Sequence, residues 1–199
     1  MIRSRRVRSA EAHRDEGELD ELSLARAQRG DRDAQAALVQ RYQRPVFAML
    51  SRMVGRERAL VEDLAQETFL RALRALPRFT AAGPARLSTW IVTIATRLAL
   101  DHLRRKTPHL EEAAASGGLP RVLPWPDQDA HRRAVAVALT EAVEALGAPF
   151  KAAFLLREVH GLSYDEIARA LEIDAGTVKS RLARARAALQ EALAEMHDG

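Results

Sequence analysis

The sequence predicts an all-α protein made of two small helical domains joined by a flexible linker, the second domain ending in a helix-turn-helix. Three observations carry this prediction. The 199 residues include 38 Ala and 28 Arg but only 3 Lys and 10 Gly, a mixture rich in strong helix formers. Apolar residues recur at three- and four-residue steps on both sides of a long gap. The gap itself, residues 107–130, holds four of the eight prolines and a Gly pair and keeps no period, so neither helix nor strand is expected to persist there.

The elements follow in order. Residues 1–19 mix charges without periodicity and read as a mobile basic tail. A short helix begins around Leu22, Leu24 and Ala25. Gly30 can end it, and Asp31 or Asp33 can cap a second helix carrying Ala37, Leu38 and Tyr42. A third segment starts at Pro45 and runs through Val46, Phe47, Leu50 and Met53 to Gly55. Val61, Leu64, Ala65, Thr68, Phe69, Ala72, Leu73 and Leu76 then mark one long amphipathic helix, stopped by Pro77. After a loop over 77–87, Ser88 can cap a helix through Trp90, Ile91, Ile94, Leu98 and Leu103 that must end before Pro108. These elements make a first domain over 20–106. Within the linker, Val122, Leu123 and Trp125 are candidates to dock on the folded body.

The second domain, 131–196, is expected to hold four helices. Val135, Leu139, Val143 and Leu146 form one stripe ending near Gly147; Pro149 suits the start of the next helix, and Gly161 suits its left-handed close. Ser163 and Glu166 stand three apart, as a reciprocal capping box requires, ahead of Ile167, Ala168 and Leu171. Asp174 can cap the last helix, with Val178, Leu182, Ala185 and Leu189 facing inward.

Composition excludes several functions. The absence of cysteine removes disulfides, thiolate nucleophiles and Cys-ligated metal sites. No apolar run approaches the roughly 20 residues needed to span a bilayer, and the basic start Met1-Ile2-Arg3-Ser4-Arg5-Arg6 lacks the apolar stretch of a signal peptide. A cytoplasmic protein without membrane insertion is expected. The six histidines are scattered, the acids Glu62, Asp63 and Glu67 have no nearby His, and no HExxH or Gly-rich phosphate loop occurs. A metal-dependent nuclease is therefore disfavoured, and neither catalysis, metal nor cofactor is expected.

The informative stretch is Leu162–Leu189, LSYDEIARALEIDAGTVKSRLARARAAL. Helix, tight turn and helix, with small Ala168 at the crossing and Ile167, Leu171, Ile173 and Val178 between them, is the pattern of a helix-turn-helix. Between Ala175 and Gln190 stand Lys179, Arg181, Arg184 and Arg186 and no acid, so the exposed side of the second helix can enter a major groove and neutralise phosphates. A solvated helix face is the usual explanation of a charge run; the preceding turn and the missing acids favour DNA here.

At these residues the sequence resembles the promoter-reading domain of bacterial sigma factors of the sigma-70 family, specifically the extracytoplasmic-function (ECF) group. The segment Glu62-Asp63-Leu64-Ala65-Gln66-Glu67-Thr68-Phe69-Leu70-Arg71-Ala72 resembles the family's core-binding helix. The resemblance implies that Asp63, Gln66, Glu67 and Phe69 meet the beta-prime clamp helices of core RNA polymerase. Leu87–Arg105 resembles the segment that reads the −10 promoter element, implying DNA contacts from Phe79, Ser88, Thr89, Trp90, Arg97, Arg104 and Arg105, with a base flipped into the loop from Phe79 to Leu87. Trp90 also reads as a core anchor. The second domain is implied to read the −35 element through Thr177, Lys179, Ser180, Arg181, Arg184 and Arg186, and to meet the polymerase beta flap. Two departures stand out: Arg97 where the family commonly has Asn, and Glu172 where it usually has Gly at the turn. The resemblance also implies an anti-sigma factor as partner.

Two other functions fit parts of the pattern. A stand-alone helix-turn-helix repressor would use the first domain for dimerisation or ligand sensing and would bind palindromic DNA without polymerase. A helical adaptor would show no salt-sensitive DNA binding. In the sigma-factor reading, two weak DNA contacts on a tether gain affinity when polymerase holds both, so the free protein should bind promoters poorly.

Overall fold

The computed structural model describes residues 18–55, 57–81, 83, 85–106 and 128–195, with side chains in the last stretch from 136 to 194. Among these residues are eight α-helices, one 3-10 turn and no strand. The first unit holds α1 (Glu21–Gln28), α2 (Arg32–Val54), α3 (Arg58–Ala75), the 3-10 turn Leu76–Arg78, and α4 (Leu87–Lys106). The second holds α5 (Gln128–Ala145), α6 (Ala148–Glu158), α7 (Tyr164–Leu171) and α8 (Ala175–Glu195). The suggested docking of Val122, Leu123 and Trp125 lies outside the described residues.

The helix ends obey local chemistry. The Asp20 carboxylate accepts from the Ser23 amide at 2.9 Å, and that of Asp31 from the Ala34 amide at 3.0 Å, each satisfying a donor that the first helical turn leaves over. Gly30 and Gly161 sit at φ of +87° and +68°, where a Cβ would be strained. Ser163 and Glu166 form the complete capping box that opens α7. Asp174 closes over the start of α8 by accepting from the Thr177 amide at 2.8 Å.

Four sequence expectations are corrected. Pro45 opens no new helix, because α2 runs unbroken over 23 residues with Pro45 inside it. Leu38, Tyr42, Val46, Met49, Leu50 and Met53 form one buried stripe that passes straight through the proline, and burial of that stripe outweighs the lost backbone bond. Ser88 does not cap α4. The helix begins one residue earlier, at Leu87, and the Ser88 hydroxyl instead donates to the Glu18 carboxylate, which also accepts from the Tyr42 hydroxyl. Glu18 and Leu19 are thereby tied to α2 and α4 instead of belonging to a loose tail; the Leu19 amide donates to the Tyr42 oxygen at 2.9 Å. On α5 the buried stripe is Ala138, Ala142 and Leu146, while Leu139 is 40% exposed. The small alanines let α5 lie close to α8, so size complementarity displaced the larger side chain outward.

The two units touch. One continuous buried cluster passes from Leu24, Leu38 and Leu50 through Ile91, Ala99 and Leu100 into Ala148, Leu155, Leu156, Ile167 and Leu182. Helix α4 packs on α6 and α7, and α2 packs on α6. A second, smaller cluster under α5 joins Ala142, Leu146 and Phe150 to Ala185 and Leu189.

Candidate functional site

Helix α3 presents the acidic face. Val61, Ala65, Thr68, Phe69 and Ala72 turn inward, leaving Asp63 and Gln66 exposed and Glu67 half-buried one turn along. Two of its acids are answered on the same helix: Glu62 accepts from Arg58 at 2.7 Å and Glu67 from Arg71 at 2.6 Å. Asp63 has no ion pair among the described residues. Phe69, grouped with this face in the sequence reading, is 7% exposed and lies in the core beneath it. The sequence reading passed over Leu70, which is 40% exposed beside Gln66 and Glu67; a leucine in a polar slot of the helical pattern was the available signal.

The start of α4 and the loop before it form a second site. The Phe79 and Trp90 rings lie 5.0 Å apart at 37°, so Trp90 is braced by an aromatic neighbour and packs on the core cluster. Gln28, from α1, donates to the carbonyls of Leu76 at 3.1 Å and Phe79 at 2.7 Å, fixing where the loop departs. That role needs two residues about fifty positions away and leaves no local trace in sequence. Ser88 and Thr89 are half-buried, and Arg105 is exposed. Arg104 pairs with Asp101 at 3.2 Å. Arg97 points at the second unit, donating from Nε to the Ala170 carbonyl at 2.7 Å and from Nη2 to that of Arg169 at 2.9 Å, while its Nη1 lies 2.8 Å from Glu172 Oε1.

The helix-turn-helix is α7 and α8. Glu172 makes the turn in the left-handed conformation, φ 55° and ψ 45°, the only non-glycine residue at positive φ among those described. Val178, Leu182 and Ala185 are fully buried and Leu189 nearly so. At about 100° per residue, Ser180 and Arg184 therefore occupy the opposite face, with Lys179 on one flank and half-buried Thr177 and Arg181 on the other. Gly176, Ala183 and Ala187 add no bulk to this face. A Cβ on Gly176 would come within 2.9 Å of the Asp174 carboxylate that caps the helix, so a larger residue there would make that carboxylate shift. Hydrogen bonding from Thr177 holds the Asp174 carboxyl below its ordinary range. Arg186 is turned back to Glu158 on α6, at 2.8 Å. Arg157 braces the loop between α6 and α7 by donating to the Leu162 carbonyl at 2.7 Å while stacking over the Tyr164 ring.

No group of side chains suited to hold a metal occurs among the described residues. Nor is any described helix long and apolar enough to cross a membrane.

An all-helical pair of units, the second closing in a basic helix-turn-helix, defines a DNA-binding regulatory protein, and comparison with known proteins narrows the class. Residues 38–108 match the family model Sigma-70 region 2, and residues 136–189 match Sigma-70, region 4. The RNA polymerase sigma-H factor of Pseudomonas aeruginosa is 32% identical over 185 residues, 88% of this chain and 94% of the relative. The ECF RNA polymerase sigma-E factor of Escherichia coli is 34% identical over 179 residues, 85% and 92% of the two chains. Among solved structures, CnrH in complex with the cytosolic domain of CnrY superposes with a TM-score of 0.59 at 24% identity, covering 87% of this chain and 96% of CnrH. RpoE from Bartonella quintana, in complex with the anti-sigma factor NepR, gives 0.56 at 24% identity over 82% and 96%. These two speak for the fold alone. The chain belongs to the ECF group of the sigma-70 family of RNA polymerase sigma factors. It is a transcription initiation factor and not an enzyme: it binds core RNA polymerase and promoter DNA and directs initiation to specific promoters.

Proposed function

We propose that the work is divided by charge, residues 20–106 acting as sigma region 2 and residues 131–196 as region 4. Asp63, Gln66 and Glu67 dock on the basic clamp helices of the polymerase beta-prime subunit, with Phe69 holding that face from beneath. The loop opening at Phe79 receives a base of the −10 element, and Ser88, Thr89, Trp90, Arg97, Arg104 and Arg105 line the path of the DNA next to it. Thr177, Ser180 and Arg184 read the −35 element in the major groove, with Lys179, Arg181 and Arg186 contributing positive charge along the flanks. The second unit also meets the beta flap, the protein works in the cytoplasm, and an anti-sigma factor restrains it, as one is bound to RpoE of Bartonella quintana.

One observation carries the reading: two solvent faces of opposite sign lie on separate units. The outer face of α3 shows Asp63, Gln66 and Glu67, while α8 carries no carboxylate from 175 to 190. The test is run-off transcription with core polymerase, alongside measured core affinity. Asp63→Ala/Glu67→Ala should lose core association. Lys179→Ala/Arg184→Ala should keep core association and lose selective initiation. If both double variants match the wild type in both measurements, the assignment of the two faces is wrong.

A further inference from the structure

The two departures noted in the sequence, Arg97 and Glu172, meet each other in space. We propose that Arg97 is an intramolecular clasp that holds the free protein closed, with DNA-reading residues of the first unit and Arg181 of the second at their shared junction. This rests on the reading of α4 and α8 as the DNA-contacting helices.

Three bonds from one guanidinium reach three successive features at the end of α7. The carbonyls of Arg169 and Ala170 belong to the last turn, where no helical amide is left to bond them, and Arg97 supplies the missing donors at 2.9 and 2.7 Å. The third contact, 2.8 Å to Glu172, comes from the residue held at positive φ. Glycine would make that turn without strain but would bring no carboxylate to Arg97. The strained residue is thus the one that completes the contact.

Around the buried contact of α4 with α6 and α7, two parts of the junction are left unfilled. On one side of the clasp, Leu100, Leu103 and Arg104 of α4 face Ala148, Pro149, Leu171, Ile173 and Arg181 around a cavity of about 50 Å³. An unfilled seam forfeits packing contacts and separates more readily than a filled core. On the other side, an open polar cleft of about 290 Å³ runs between Ser88 and Thr89 and the turn carrying His160 and Glu166. Ser88, Thr89, Arg97, Arg104 and Arg181 therefore all border the junction. In the closed chain the second unit packs against α4, which carries the −10-reading residues, and parting the two requires Arg97 to let go.

The lack of cysteine allows clean labelling. Gln43→Cys and Gln190→Cys, both exposed, place a donor and acceptor dye on the two units of the full chain, and single-molecule energy transfer without polymerase counts closed and open molecules. Arg97→Gln should raise the open-to-closed ratio about tenfold, since it removes charge-assisted bonds to carbonyls. Glu172→Gln should raise it about threefold, because its contact is exposed and screened. The double variant should match Arg97→Gln, as Glu172 acts only through Arg97. Glu172→Gly should open the chain while raising its melting temperature, a pairing that a merely structural turn residue would not give. Equal transfer in all of these proteins, or additive effects in the double variant, overturns the clasp and leaves the sigma-factor assignment intact. Failure of the wild type to support run-off transcription would remove the DNA-facing reading while the transfer measurements still stood.

Discussion

The outer face of α3 from 62 to 67 and the outer face of α8 from 175 to 190 carry charge of opposite sign, yet they keep different amounts of it available. On α3 the acids Glu62 and Glu67 are each met by an arginine four residues away on the same helix, and Asp63 is left without an ion pair among the described residues. On α8 no acid stands between 175 and 190 to answer the bases, Glu191 and Glu195 coming only at the far end of the helix, and the ion pair to Arg186 comes from elsewhere in the fold. Its partner is Glu158 of α6. Lys179 and Arg184 form no ion pair among the described residues. A count of charges in sequence therefore overstates both faces, and it does so for different reasons: within the helix on α3, and across the fold on α8.

The sharpest way to break the comparison is to remove the scaffold under one face only. Ile167→Ala empties a fully buried position between α7 and α8 and should cost about 3 kcal/mol. Chemical denaturation should show the loss, and promoter selectivity should fall while the α3 face still competes for core polymerase. Next in size, Asp63→Arg/Glu67→Arg should weaken core association by at least about tenfold, measured by fluorescence anisotropy, because like charges then face the proposed basic partner. Lys179→Ala/Arg184→Ala should lower the salt dependence of holoenzyme–promoter binding by about two counterions, whereas Arg186→Ala should lower it by less than about one, because Glu158 already answers part of its charge.

A pH experiment refines the junction instead of the faces. Burial, and then the nearby Arg52 of the first unit, hold the His160 imidazole below its ordinary value of 6.5. Its Nε2 is buried without a partner. A depressed pKa favours the neutral ring, so the associated stability is complete above the unfolded value and is lost as pH falls from about 6.5 toward the folded value. Melting temperature should drop between pH 7.5 and 5.5, and His160→Gln should flatten that drop. The smallest effect belongs to Arg186→Ala: its exposed pair with Glu158 should be worth less than about 1 kcal/mol in a melting experiment.

Much of the fold is legible in the sequence where the determinant is local. Asp31, Gly30, Gly161, Ser163 with Glu166, and Asp174 each act within four residues of themselves, and every one sits where cap and turn chemistry puts it. Glu172 belongs with them, since the turn demands positive φ whatever residue stands there. What sequence misses is set by distant partners. Pro45 reads as a break until the stripe from Leu38 to Met53 is followed through it. Ser88 reads as a cap until Glu18, seventy residues earlier, takes its hydroxyl. For the site, the residue types on α3 and α8 and the apolar stripe that takes Phe69 inward were readable from helical spacing, but the clamp by Gln28 and the reach of Arg97 depend on which helix packs beside which.

The stitch joining Glu18 to Ser88 and Tyr42 has a practical corollary. It fixes Glu18 and Leu19 at the doorstep of α4, beside the loop that begins at Phe79. A bulky graft upstream of that stitch would crowd the doorstep before it disturbed anything else. Immobilisation or fusion for biophysical work is better placed beyond α8.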